Sequence, residues 1–286
     1  MAIATCAQLP ELDPDGPGLL AALAARGVLA EPAVWDDPDV DWAGYALVVV
    51  RNTWDYVAHR EEFTAWAQRL PRAANPAQIL RWNTDKRYLA DLAGAGVPTV
   101  PTCFAEPSAD IVLPEWPDYV VKPTISAGSA DTARWRRGAD DGAARAHLEA
   151  LRAAGRTAML QPYLSAVDSA GESALIYLGG RFSHCVRKGP LLTAGAAPAG
   201  LAIDDHDPRE QITPRDPTAA ELAVAECVLA AVPVTPDGLL YARVDLLPDA
   251  DGRPVLLELE LTEPSLFLWA HPAATGRLAG AIAALL

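Results

Sequence analysis

Four charged residues near the end of the chain stand at spacings that could do chemistry. If Asp251-Gly252 make a two-residue hairpin turn, as such a pair favours, Asp245 faces Glu258 and Arg243 faces Glu260. Side chains alternate along a strand, so these four share one face. The other face carries Leu240, Ala242, Val244, Leu246, Leu257, Leu259 and Leu261, and its burial specifies the register. Two carboxylates directly opposite each other repel unless something positive lies between them. Oxygen ligands of this kind suit Mg2+, which completes its shell with water and phosphate oxygens. Arg243 beside them could hold a developing anion. The plainer alternative is a half-buried hairpin with a solvated charged face.

The basic residues divide into 20 arginines and only three lysines, Lys86, Lys122 and Lys188. A composition rich in Ala, Arg, Gly and Pro explains the scarcity of lysine, but not where the three stand. Lys122 ends a strand in VVKPT, just before Ser126-Ala127-Gly128-Ser129, a small-residue loop whose backbone could wrap triphosphate oxygens. It is no Walker A motif, because the lysine precedes the glycine; an ordinary turn is the alternative. Lys86 lies in WNTDK at a helix start, where amides and a cation could face an anion together, or where the lysine is merely exposed. Lys188 opens the Gly/Pro-rich stretch Gly189–Pro217, a lid or a disordered segment. Glu172 begins a hairpin turning at Gly179-Gly180, which places it opposite Arg187 as an ion pair or as a carboxylate for sugar hydroxyls. Arg51, Asn52 and Asp55 follow the Ala46–Val50 strand at the carboxyl edge, where α/β sheets place ligands. Arg51 is the candidate for a substrate carboxylate, with a helix-start cap as the alternative. Glu263 and Ser265, just past the acidic strand, suit the amino group of an amino-acid-like substrate. The five histidines are scattered and read as structural or exposed.

The elements that must position these residues follow from periodicity. The first third alternates strands (Ala2–Cys6, Pro32–Trp35, Ala46–Arg51) with helices (Gly18–Arg26, Glu61–Leu70), as in a parallel α/β layer. A helix is expected over Thr84–Ala95, then a strand at Tyr119–Pro123, a helix at Asp140–Ala154 and a strand at Ala158–Leu164. Two hairpins follow, separated by the Gly/Pro-rich stretch and a helix over Thr218–Ala231. A chain of 286 residues can bury a real core. Its net charge of −14 disfavours nucleic acid and anionic membranes as partners. Cys6, Cys103, Cys185 and Cys227 are too scattered for a zinc site and read as buried or idle thiols. Without a basic leader or a long apolar run, the expected location is cytoplasmic.

In this order the segments WNTDKRYLADLAGAGVP, VVKPTISAGS, MLQPYL with GES, and YARVDLLPDADGRPVLLELELTEPS resemble the ATP-grasp superfamily of carboxylate–amine ligases. RNTWDY and ELTEPSLF are similar to a narrower branch, that of the O-ureido-D-serine cyclo-ligases and glutathione synthetase-like enzymes. The resemblance implies an α/β, α+β fold: a Rossmann-like pre-grasp domain at 1–81, a central lobe at 82–162 and a C-terminal lobe at 163–286, clamping ATP. It implies Lys86 and Lys122 on the ATP phosphates, Ser126, Gly128 and Ser129 as their cover, and Gln161, Pro162, Tyr163 and Leu164 at the adenine. Glu172 would meet the ribose, and Asp245, Glu258 and Glu260 would hold Mg2+, as two ions. Arg243 and Lys188 would act in the transfer steps. Two departures stand out. Glu258-Leu259-Glu260 replaces the usual Glu-x-Asn, and Gln161 stands where an acid is common. The implied activity is ATP-dependent activation of a carboxylate as an acyl phosphate, followed by formation of an amide or cyclic amide. A small-molecule kinase on the same fold and a non-catalytic nucleotide-binding module are the alternatives. Partners would be a small amino-acid-like molecule and, left open, a second copy of the chain in a homodimer.

Overall fold

The structure is a computed structural model and describes residues 1–201, 203 and 211–286. The first segment contributes β1 (Ala2–Thr5), α1 (Gly16–Ala24), β2 (Glu31–Val34), β3 (Val48–Asn52), α2 (Arg60–Arg69) and β4 (Ala73–Ala74). Its strands form a parallel sheet in the order β2-β1-β3-β4, as the alternation of elements requires. Both faces are buried. Ile3 and Val49 pack with Leu19 and Leu23 of α1 and with the C-terminal helix, while Ala4, Val48 and Val50 pack against Trp35, Phe63 and Trp66.

Of the helix expected over Thr84–Ala95 only α4 (Tyr88–Gly94) forms; a separate, unexpected helix, α3 (Ala77–Asn83), precedes it, with a break between them. Polar side chains compete with the helix here: Thr84 Oγ1 donates to Arg81 O, and Asp85 Oδ1 accepts from Arg87 N. The break sends the Lys86 amide to Thr124 O. The second sheet is antiparallel, in the order β5-β8-β6-β7, from β5 (Cys103–Ala105), β6 (Asp118–Pro123), β7 (Ala133–Arg136) and β8 (Ala158–Pro162). Between β7 and β8 runs α5 (Asp141–Ala153), whose Leu148 and Leu151 close over Tyr119, Val121 and Leu160.

The third sheet follows the short α6 (Val167–Ala170). It comprises β9 (Glu172–Leu178), β10 (Arg181–Lys188), β11 (Ile212–Arg215), β12 (Tyr241–Pro248) and β13 (Pro254–Glu260), with α7 (Ala219–Ala230) before β12 and α8 (Ala274–Ala283) at the end. Its order is β11-β10-β9-β12-β13, all antiparallel. One face packs under α4 and α7 through Leu175, Val244, Leu246 and Leu259. The lower half of the other face, with Ile176, Leu178 and Tyr241, packs on the N-terminal layer, and α8 lies against α1. The stretch Gly189–Pro217 contains β11, and of the rest, residues 202 and 204–210 lie outside the described residues. All four cysteines are free; Cys6 and Cys185 are buried, Cys103 and Cys227 exposed. No described helix is long and apolar enough to cross a membrane.

Both hairpins depart from the sequence reading. The Gly179-Gly180 turn forms, with φ +57° and +73°, but Ser183 is an extra residue in β10. Glu172 therefore faces Lys188, not Arg187, which instead donates to Ala170 O and Ser169 O. The second hairpin turns through three residues, Ala250–Gly252, closed by Asp249 N to Arg253 O with Gly252 at φ +78°. A bulge at Leu257 takes up the difference, so Asp245 still faces Glu258 and Arg243 still faces Glu260. The core residue beyond the bulge is Leu256, fully buried, while Leu257 is half-buried.

Candidate active site

The upper half of the third sheet's charged face is covered, not solvated: Asp245 and Arg243 keep only 2% and 5% of their surface. Arg243 Nε donates to Asp245 Oδ1 at 2.9 Å, and its Nη2 reaches both Asp245 and Glu260. Lys188, expected at a lid, stands on this face at 2.6 Å from Glu172 Oε1 and 3.6 Å from Asp245 Oδ2. Two lysines from different elements meet on Glu258: Lys86 Nζ lies 3.1 Å from Oε1 and Lys122 Nζ 3.5 Å from Oε2. Lys86 comes from the break between α3 and α4, and Lys122 from the end of β6. The three lysines of the chain thus converge on one acidic sheet face.

Burial pushes the Asp245 carboxyl up, but Arg243 and Lys188 outweigh it and hold it near 2. Glu172 goes the other way, to about 7, because burial exceeds what Lys188 returns. Burial likewise lifts Glu260 to about 6 against Arg243, and Glu263 to about 8, with Glu260 adding to the effect. Burial lowers Lys122, against the attraction of Glu258. Four carboxylates (Glu172, Asp245, Glu258, Glu260) thus share four cations (Lys86, Lys122, Lys188, Arg243), and Glu263 adds a fifth acid beside them. That all-oxygen, acid-rich donor set fits a hard divalent cation. Asp245, Glu258 and Glu260 do not yet converge on one point, since Arg243 stands between Asp245 and Glu260 while Glu258 turns to the lysines. Among the described residues no three His, Cys, Asp or Glu side chains form a ready cage.

Ser126 is tied to Lys86, whose Nζ donates to Ser126 O at 2.7 Å and Oγ at 3.2 Å. Gly128, Ser129 and Asp131 have φ of +56°, +57° and +52°, so the loop turns through consecutive left-handed residues. Among the described residues, no hydrogen bond takes the amides of Ser126, Ala127, Gly128 or Ser129. Unpaired amides in a left-handed turn can form an anion-binding concavity. At the end of β8, Gln161 is buried and spends its Nε2 within the protein, donating to Thr102 Oγ1 at 2.9 Å. Tyr163 spends its amide on Asp118 O, and its ring lies under the Arg134 guanidinium, 3.4 Å from the centroid. Pro162 and Leu164 are half-buried beside it.

Of the residues expected at the substrate, Arg51 is a correction. It is 2% exposed and donates to Pro264 O at 2.7 Å and to Asp13 Oδ2 at 3.2 Å, so its guanidinium is spent within the protein. Asp55 accepts from Trp35 Nε1 at 2.9 Å. Asn52 takes the Asp13 amide on Oδ1 and keeps a buried, unpartnered Nδ2. Glu263 is buried, faces the Tyr56 phenol, and has no cation within ion-pair distance among the described residues. Ser265 presents its carbonyl to Arg243 Nη1 at 3.1 Å.

The cycloserine biosynthesis protein DcsG of Streptomyces lavendulae is 38% identical over 284 residues, covering 94% of this chain and 92% of its own. The chain belongs to the DcsG family. Residues 1–78 match the family described as D-cycloserine synthetase DcsG, N-terminal domain. The crystal structure of D-cycloserine synthetase DcsG superposes with a TM-score of 0.88 at 36% identity, over 100% of this chain and 99% of that one. The D-alanine–D-alanine ligase of Bacillus anthracis shares the fold, with a TM-score of 0.65, 13% identity and coverage of 100% and 97%. This DcsG-family chain therefore has the mixed α/β fold of the ATP-grasp ligases.

Several residues of this DcsG-family site escape a sequence reading because they act on backbone. The outer edge of β13 would expose unpaired peptide groups. Asn83 accepts from Leu261 N and donates to Leu259 O, while the Tyr88 hydroxyl accepts from Leu259 N. Asn75, at φ +59°, donates to Leu261 O and Tyr241 O and accepts from Leu240 N. Past β13, every carbonyl from Thr262 to Phe267 has a side-chain donor. Tyr241 serves Thr262, Trp54 serves Glu263, Arg51 serves Pro264, Arg243 serves Ser265, and His184 serves both Leu266 and Phe267. WNTDK and RNTWDY held the signal for Asn83 and Trp54; nothing in the sequence marked His184.

Proposed function

We propose that the chain uses ATP to activate the carboxylate of a small amino-acid-like molecule and closes a C–N bond, forming a cycloserine ring from an O-ureido-serine. The observation that carries this reading is the meeting of Lys86 and Lys122 on Glu258, beside the unpartnered amides of Ser126–Ser129. A triphosphate is a better anion for both lysines than one carboxylate, and its arrival would free Glu258 for a cation. Lys86, Lys122 and the Ser126–Ser129 amides would hold the phosphates, with the Pro162–Leu164 segment at the adenine and Glu172 at the ribose. Asp245, Glu258 and Glu260 would hold two Mg2+ ions, whose chemistry is to polarise the transferring phosphoryl group. Arg243, fixed by Asp245, Glu260 and the Ser265 carbonyl, would stabilise the oxyanion formed when nitrogen attacks the activated carbonyl. Glu263 would accept N–H groups of the substrate. The work divides among a pre-grasp unit at 1–81, a central lobe at 82–162 and a C-terminal lobe at 163–286, in a cytoplasmic enzyme.

The test is an ADP-release assay with MgATP over O-ureido-D-serine and a panel of amino acids, with products identified by mass spectrometry. The expected product is cycloserine, with a new ring C–N bond between the serine carbonyl and the aminooxy nitrogen; ATP ends as ADP and phosphate, and the carbamoyl group leaves by hydrolysis as carbon dioxide and ammonia. A phosphorylated compound that persists without that bond would replace the ligase reading with a kinase. Glu258→Gln should lower turnover by about a hundredfold or more. Unchanged ADP formation in that variant would remove Glu258 from the metal site.

A further inference from the structure

RNTWDY and TEPSLF lie about 210 residues apart in sequence, yet they dock on each other. Trp54 Nε1 donates to Glu263 O at 2.9 Å and Arg51 Nη1 to Pro264 O at 2.7 Å, both across the boundary between the N-terminal layer and the acidic sheet. Tyr56, from the same short segment as Trp54, faces the Glu263 carboxyl. From the opposite side His184 Nε2 lies 2.8 Å from Leu266 O and 3.1 Å from Phe267 O, a residue held at φ +47°. A left-handed conformation at a bulky residue persists only where the surroundings enforce it. A run of carbonyls each claimed by a side chain is costly in buried donors. It is intelligible if something on that run must not move, and Glu263 is its charged member.

We propose that Trp54 is a positioning residue for the substrate: its indole N–H, together with Arg51 and His184, fixes the backbone that aims Glu263 at the N–H-bearing end of the substrate. The class of group recognised is one rich in N–H donors, such as an ammonium or a ureido group, because Glu263 is a buried acceptor without an ion-pair partner among the described residues. This inference rests on the ligase reading for the identity of the substrate, but not for the positioning itself. Trp54 does not touch the phosphate-binding lysines, so its influence should fall on one substrate and spare the other.

Trp54→Phe keeps the ring and deletes the N–H donor. Losing one such hydrogen bond should raise KM for O-ureido-D-serine by roughly two- to tenfold, with KM for ATP unchanged. In the free protein, amide exchange measured by mass spectrometry should speed up across Thr262–Phe267 and stay unchanged in the central lobe. Trp54→His, which can return a ring N–H, should recover part of both effects. An unchanged KM with unchanged exchange overturns the proposal, as does an equal rise in both KM values with exchange faster throughout the chain. Arg51→Gln gives a second entry to the same segment should Trp54→Phe fold poorly, with the same split expected. If the wild-type protein ignores O-ureido-D-serine, the ligase reading fails in that form. The exchange experiment then still decides whether Trp54 positions Glu263.

Discussion

Two irregular segments border the site, and they are built on opposite principles. Thr262–Phe267 has each of its carbonyls engaged by a side chain from a neighbouring element. Ser126–Ser129 offers a row of amides that no described residue accepts, and its link to the rest of the site runs through Lys86. A saturated backbone cannot adapt without breaking hydrogen bonds worth about 1 kcal/mol each. An unsaturated one can reorganise around a ligand at little cost, and the ligand supplies the missing partners. Under the proposed function, Thr262–Phe267 is a fixed floor on the substrate side and Ser126–Ser129 an adjustable cover on the phosphate side.

The largest effect expected comes from removing the residue that belongs to the floor and to the acidic face together. Arg243→Ala leaves Asp245 and Glu260 without their guanidinium and Ser265 O without its donor. Turnover should fall by about a hundredfold or more. Unfolding in urea should show a loss of about 3–5 kcal/mol, the cost of stranding a buried charge. A variant that loses turnover yet unfolds like the wild type would mean that Arg243 holds nothing in place.

Gly128→Ala addresses the cover. With φ at +56°, a side chain there costs about 1–2 kcal/mol, which the loop can relieve only by moving its amides. KM for ATP should rise by roughly five- to thirtyfold. The melting temperature should hardly move, because the loop lies outside the packed cores. A fall in melting temperature matching that of Arg243→Ala would abolish the distinction between floor and cover.

The same contrast explains what the sequence could and could not say. Side-chain chemistry was legible by type and spacing: Lys86, Lys122, Asp245 and Glu258 are singled out by charge, and the structure brings them together. The parallel N-terminal layer followed from its alternation of elements. Bulges were not legible. Leu256 and Leu257 are both leucines, so periodicity cannot tell which one enters the core, and the extra residue at Ser183 shifts Glu172 onto Lys188 without disturbing any apolar pattern. In the second hairpin the unforeseen three-residue loop and the unforeseen bulge cancel, which is why the pairing of Asp245 with Glu258 survives. Arg51 was misread for another reason. A guanidinium at a strand's carboxyl edge suits a substrate carboxylate or a backbone carbonyl equally well, and only the path of a segment 213 residues away decides between them.

The smallest effect concerns His184 and the pH dependence of the floor. Its ring is buried under Leu266 and Phe267, and burial lowers its pKa below the usual 6.5; nearby His271 and Arg277 lower it further, while the two carbonyls raise it. With the folded-state pKa depressed, the unfolded chain binds more protons below about pH 6.5, so unfolding takes up a proton and stability falls as pH falls. The contribution is fully present above the unfolded pKa and is lost on the way down to the folded one. Glutamine can still donate one N–H to Leu266 O but does not titrate, so His184→Gln should remove this part of the acid sensitivity. Urea unfolding of both proteins at about pH 8 and about pH 5 should show the smaller loss in the variant. KM for ATP should be the same in both at pH 8, since the cover does not touch this histidine. Parallel loss of stability in the two proteins would show that the floor does not depend on a neutral His184.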